Sequence, residues 1–318
     1  MADGASQPTQ PDRPIGLSVA LLAIFCSVLW GGTVPAIRYS VDALPPVGTA
    51  AMRFALATVF MLVWCVLQKT PLRIRKGQWL PIIALGTILA VQISLLNWAT
   101  ERTSSSHGSL LLNVYPVFVA VLAHFFLIGD RMTVRMSAGL LVAMVGVVLV
   151  LLFGNEEDPA VRDPSSLFGN LLALSSGFLL GLKTVCIKRF LPRIEVNKLL
   201  FWHHLYAVVL FSITSAIVEG PERYEFTTPA VLGVLYQGLV VAGFCFATWY
   251  WLLRSHRASQ LSVFAFVTPL AGVVISHVMR DDPLGPAILS GGLAILGGIY
   301  LVSTRGRAAA RKASSGQP

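Results

Sequence analysis

No acidic residue lies inside any long apolar run of this chain: all 15 Asp and Glu fall between those runs or in the tails. Carboxylate metal cages and carboxylate acid–base pairs are therefore excluded from the apolar interior. Cysteine is scarce too. Cys26, Cys65, Cys186 and Cys245 stand far apart, each within apolar sequence, which excludes a disulfide framework or a cysteine metal motif and leaves small packing residues. A Walker A loop, an HExxH pair and a GxSxG elbow are all missing, and no stretch between apolar runs could form a soluble catalytic domain. Nothing indicates a cofactor or a metal, and ATP-driven transport by this chain alone is disfavoured. Charge itself is sparse, at 12% against 55% hydrophobic residues, which excludes an ordinary soluble domain.

What is present is a series of runs of the length that crosses a bilayer, about 17 to 25 residues. Ten spans are expected, at 15–37, 46–67, 78–100, 105–127, 136–154, 167–187, 199–218, 229–253, 258–279 and 284–303. Residues 1–14 are polar and rich in Pro and Gln, and 305–318 are rich in Arg, Ser and Gly; both read as disordered tails. The first run is too long for the core of a signal peptide and is expected to be retained. With both termini in the cytoplasm, most of the 24 basic residues fall in cytoplasmic segments, while the opposite loops hold most of the acids. This positive-inside pattern supports ten spans in the cell (plasma or inner) membrane and accounts for the +9 net charge without a nucleic-acid partner.

The two halves repeat one another. "WATERTSSSHGSLLLNVYP" aligns with "WLLRSHRASQLSVFAFVTP" at an offset of 153, pairing Trp98 with Trp251, Ser106 with Ser259, Ser109 with Ser262 and Pro116 with Pro269. At an offset of 152, Gly139 and Gly146 meet Gly291 and Gly298. Five is odd, so the second copy enters the membrane from the other side, as in the inverted repeats of secondary transporters. The expected fold is an all-α polytopic membrane protein of ten transmembrane helices in two inverted five-helix repeats, 15–154 and 167–304, joined by an outer linker at 155–166.

Across residues 17 to 305 the chain resembles the EamA-type drug/metabolite transporters. The likeness rests on Trp30-Gly31, Pro46 followed by Arg53-Phe54, the Ser-rich turn before Pro116, "FFLIGDRM" with Gly139 and Gly146, Arg254 to Ser262, Pro269, and Gly291 to Gly298. Asp130 stands where Glu is usual, Arg280-Asp281-Asp282 replaces Gly-Glu, Leu180 replaces a common Trp, and Lys183 is no part of the pattern. The resemblance implies export, or sometimes uptake, of small metabolites such as amino acids.

Two cations lie within spans, Arg53 and Lys183. Arg53 is about 10 Å along the second helix from its outer end, and Lys183 roughly 7 Å from the inner end of the sixth. Each has two readings: a snorkelling side chain, or a group facing a water-filled cavity that holds an anionic part of the substrate. Because they approach from opposite faces, they could act as two gates around one anion site. Further pathway candidates are Trp30, Gln92, Asn97, Asn113, His203, Tyr236, Gln237 and Tyr250, whose plainer reading is interhelix hydrogen bonding or an interfacial aromatic belt. His203 and its neighbour His204 lie within a span, and at an offset near 150 His203 matches Arg53. His124 and His277 occupy matching positions and could couple transport to protons, or simply tie helix ends. Pro35, Pro116 and Pro269 are candidate hinges, and the glycines at 139, 146, 291, 297 and 298 predict close approach of the fifth and tenth helices.

The expected function is a secondary transporter, exporting small metabolites such as amino acids or related carboxylates by alternating access, as a monomer or homodimer in the lipid bilayer. The alternative is a membrane-embedded lipid-handling protein or enzyme; the missing intramembrane carboxylates weigh against it.

Overall fold

The computed structural model describes residues 16–126, 134–157, 164–190, 194–220, 224–255, 264, 267–282 and 284–303. Both tails and the middle of the 155–166 linker lie outside the described residues. Among those described, all regular structure is helical and forms ten spans. Span α1 runs as Leu17–Gly31 and Thr33–Val41, α2 is Pro46–Leu67, α3 is Trp79–Arg102, and α4 is broken into Ser105–Leu112 and Tyr115–Phe126. Then follow α5 (Val134–Glu157), α6 (Pro164–Phe190) and α7 (Val196–Val218). Span α8 comprises Thr228–Leu235, Tyr236–Cys245 and Phe246–Ser255, and α9 (Val267–Arg280) and α10 (Pro286–Ser303) complete the set. Six of them, α1, α2, α3, α6, α7 and α8, are each long and apolar enough to cross a bilayer unaided.

The breaks have local causes. In α1 the interruption falls at Gly32, where a Cβ would lie 2.6 Å from the Tyr236 hydroxyl of α8. That hydroxyl donates to Leu29 O at 2.6 Å, so a neighbouring helix fills the place of a side chain. Pro35 sits in the first turn of the second α1 segment, where its missing N–H is harmless. In α4 the ladder stops at Asn113 and restarts at Tyr115, with Pro116 in the new first turn, so the fourth span is interrupted beside the proline. Pro269 likewise occupies the first turn of α9 as described.

Helix α2 begins with Pro at its first position, which its fixed φ favours. Its free amides are met from the other repeat, since the Glu219 carboxylate accepts from Val47 N at 2.7 Å and Gly48 N at 2.9 Å. Glu219→Ala would orphan both donors at a positive helix end and is expected to cost about 1 to 2 kcal/mol, read as a lower melting temperature in detergent.

The packing reveals the pseudo-symmetry. Helices α2 and α7 pack together, as do α5 and α10 and also α4 and α9, each against its own counterpart. Further contacts between the repeats exchange in pairs: α3 on α6 with α8 on α1, α3 on α7 with α8 on α2, and α4 on α6 with α9 on α1. Swapping the halves leaves this set unchanged. At the α5–α10 crossing a Cβ on Gly146 would lie 2.6 Å from Gly291 O, and one on Gly298 would lie 2.5 Å from both Gly139 O and Ala143 N. Bare backbones meet there, as the glycine pattern predicts.

Candidate functional site

Seven residues into α2, Arg53 is 3% exposed, and its Nε and Nη1 have no hydrogen-bond partner. Lys183, on α6, is 6% exposed. Neither side chain snorkels. They converge instead, close enough for their charges to repel one another, and both act on His204 of α7. His203 adjoins, its ring centroid 4.5 Å from that of His204. Its Nδ1 lies 2.7 Å from Leu199 O, and since a carbonyl only accepts, that nitrogen carries the hydrogen. Nδ1 of His204 is buried without a partner.

Aromatic rings wall this cluster. Phe54 stacks on Phe211 at 5.5 Å and meets His204 at 5.1 Å, and the Arg53 guanidinium carbon is 5.1 Å from the Phe54 centroid. On α8, Phe246 lies 6.0 Å from Lys183 Nζ and 6.2 Å from His204. Trp30 of α1 packs against both Phe246, at 5.8 Å, and Trp249, at 5.1 Å. Phe246 is delivered by a π-helical stretch, Tyr236–Cys245, which reaches α2 through Gly238: a Cβ there would be 2.9 Å from Arg53 O. Wide π turns recur where a helix serves a site.

No carboxylate among the described residues contributes to the electrostatics of Arg53, Lys183, His203 or His204. Burying even one charge without a partner costs several kcal/mol. Two cations held together in apolar surroundings therefore carry a large desolvation cost that no counter-ion among the described residues offsets.

Of the other predicted residues, Gln92, Asn97, Gln237 and Tyr236 tie one helix to another. Gln92 Nε2 donates to Ser176 Oγ of α6 at 2.8 Å, and Ser176 returns a bond to Gln92 O at 2.9 Å. Asn97 Nδ2 donates to Pro46 O at 2.7 Å. Gln237 Nε2 donates to Ala36 O and Ser40 Oγ at 3.1 and 2.9 Å, and Tyr236 binds Leu29 as above. Asn113 folds back on Ser109 O within α4. His277 contacts Asp282 O at 2.8 Å on an exposed end. The side chains of His124 and Tyr250 lie outside the described residues. Phe54 and Phe246 were missed by sequence reasoning; Phe54 had the signal of standing beside Arg53, whereas Phe246 is one aromatic among many in an apolar helix.

One end of the bundle is tied across the repeats. Asp42 of α1 accepts from Arg38 Nε at 3.0 Å and from Arg280 Nη1 of α9 at 2.8 Å. Tyr39 donates to Met279 O beneath the Arg280 guanidinium, and Asp282 accepts from Ser106 N of α4 at 2.8 Å.

The sequence profile of the EamA-like transporter family matches residues 17–152 and 167–304, almost the whole of both repeats. The chain belongs to the EamA-like transporter family. It is 27% identical over 286 residues to the uncharacterised transporter YoaV of Bacillus subtilis, covering 90% of this chain and 96% of that one. It is 29% identical over 310 residues to a protein of Streptantibioticus cattleyicolor named "Probable terminal-alkyne amino-acid exporter", covering 94% and 98%. A solved crystal structure matches with a TM-score of 0.67 at 20% identity, covering 92% of this EamA-like chain and all of the other, which shows the shared fold. This family member is a multi-pass membrane transporter.

Proposed function

We propose that the chain is a secondary transporter that exports small metabolites, amino acids or related carboxylates, by alternating access about the cluster of Arg53, Lys183, His203 and His204. One observation carries this reading: a buried, carboxylate-free cationic group contributed by helices of both repeats, α2 from one and α6 and α7 from the other. An anionic group is the partner those cations lack. A site at the interface of inverted repeats is where rocking of the halves exposes it first to one side and then to the other. The Asp42 and Asp282 ties, which join α1 to α9 and α9 to α4, fit a closed outer end. The names of relatives such as the Streptantibioticus exporter and the "Probable amino-acid metabolite efflux pump" of Salmonella typhimurium favour export.

Purified protein reconstituted in liposomes should show saturable, substrate-dependent flux of at least one amino or organic acid. Absence of flux for every such solute, with a pH gradient and without one, would discard the reading. Both termini are assigned to the cytoplasm of the cell membrane. A green fluorescent protein fused after Pro318 is expected to fluoresce, and a periplasmic alkaline phosphatase at the same point to stay inactive; the opposite pair of results reverses the orientation.

A further inference from the structure

Resting on that proposed function, we infer that the site selects solutes bearing a carboxylate and no free ammonium group, so that its cargo is an organic acid and not a zwitterionic amino acid. A carboxylate has ready donors. Nε and Nη1 of Arg53 are both buried and unpartnered, charged donors with no acceptor from the protein itself. Lys183 supplies a second positive charge within electrostatic range.

An α-ammonium finds no counter-charge, only the buried, unpartnered and uncharged Nδ1 of His204. Glu101, Glu156 and Glu157 stand at the very ends of α3 and α5, and no Asp or Glu lies deeper in any span. The backbone oxygens beside the cluster are already engaged, Phe54 O accepting from Thr58 Oγ1 at 2.7 Å and Leu199 O facing His203 Nδ1 at 2.7 Å. Aromatic faces could hold an ammonium by cation–π attraction. Here the protein's own cations lie against the two rings nearest the cluster, Arg53 at 5.1 Å from the Phe54 centroid and Lys183 at 6.0 Å from Phe246. A positive group on the solute would thus enter a field made by two like charges with nothing to offset it. One carboxylate answers one of the two cations; a second acid group on the same solute answers the other.

The test compares solutes that differ only in the amino group, succinate against aspartate and glutarate against glutamate. Flux is measured with the full chain in proteoliposomes, and thermal stabilisation with the detergent-solubilised protein. The acid lacking nitrogen is expected to move faster, and to stabilise at lower concentration, by about tenfold or more, the worth of one charge-assisted contact. Flux of the amino acids equal to or above that of the acids overturns this selectivity while leaving the transport reading intact. If neither class moves, the transport reading falls and stabilisation decides alone: shifts by both members of a pair, or by neither, overturn the inference. Arg53→Gln should abolish stabilisation by succinate, and Lys183→Gln serves the same comparison if the first variant does not fold. Succinate stabilisation retained in both variants places the acid elsewhere and defeats the proposal.

Discussion

Replacing Arg53 by glutamine is expected to abolish transport and, in the same protein, to raise the melting temperature of the substrate-free state. Both effects come from one charge. The guanidinium is buried with Nε and Nη1 unpartnered, and its positive charge is opposed to Lys183 with no carboxylate nearby. Removing a buried charge that has no counter-ion relieves a desolvation penalty of several kcal/mol, unlike breaking a satisfied pair, which destabilises. With substrate bound, the balance reverses, because a charge-assisted hydrogen bond is worth about 1.5 to 3 kcal/mol, or roughly 10- to 150-fold in affinity. Flux in proteoliposomes should fall at least that far, while unfolding in detergent shifts upward by a few degrees. Arg53→Lys keeps the charge and loses the fork, so it should retain part of the flux and none of the added stability. Wild-type flux in Arg53→Gln, or a large drop in its stability, would return Arg53 to the role of a structural anchor.

Gly298→Val is expected to be the most damaging single change among the glycines at the α5–α10 crossing. A Cβ at 298 meets Gly139 O and Ala143 N at 2.5 Å, and these are backbone atoms that cannot rotate aside. Relief requires the helices to part along a contact where Gly146 and Gly291 also touch. Overpacking costs about 1 to 3 kcal/mol, with larger values where nothing yields, and a value near or above that range should show as lost expression or a markedly lower melting temperature. Gly297 supplies the internal control, since nothing lies within 4 Å of a Cβ placed there. Gly297→Ala should leave folding and flux near wild type. Equal tolerance at 297 and 298 would contradict the close crossing.

The legible and illegible parts of this protein differ for a physical reason. Apolar run length and the alternating sign of the loops report what each segment does along the membrane normal, so the spans, their number and the inversion of the repeats could all be read from the chain. Glycines at 139, 146, 291 and 298 announce a shared face because only a missing side chain allows backbones to touch. Rotation about each helix axis is another matter. Depths of about 10 Å for Arg53 and 7 Å for Lys183 follow from counting residues, but counting places neither on a particular azimuth, and so could not show that both turn inward onto Phe54, Phe246 and His204. Gln92, Asn97 and Gln237 were equally plausible as lining residues until their donors were seen to be spent on Ser176, Pro46, Ala36 and Ser40. The stop at Asn113 in α4 was hidden for a similar reason. Pro116 signals that an interruption is near, not on which residue the ladder closes.

The π-wound part of α8 bears on the history of the duplication. From its first residue to the matching tryptophan, α8 (Thr228 to Trp251) contains more chain than α3 (Trp79 to Trp98), and the π-wound stretch lies within that longer segment. Residues inserted into a helix either shift everything beyond them around the axis or are absorbed by a wider coil. Tyr236–Cys245 follows the second course, which keeps Phe246 and Trp249 facing the cluster while the segment before them bulges toward α2. An ancestral pair of identical halves would have placed the same side chains on both sides of the centre. The π turns of α8, set against the regular α-helix of α3, break that equivalence in one helix.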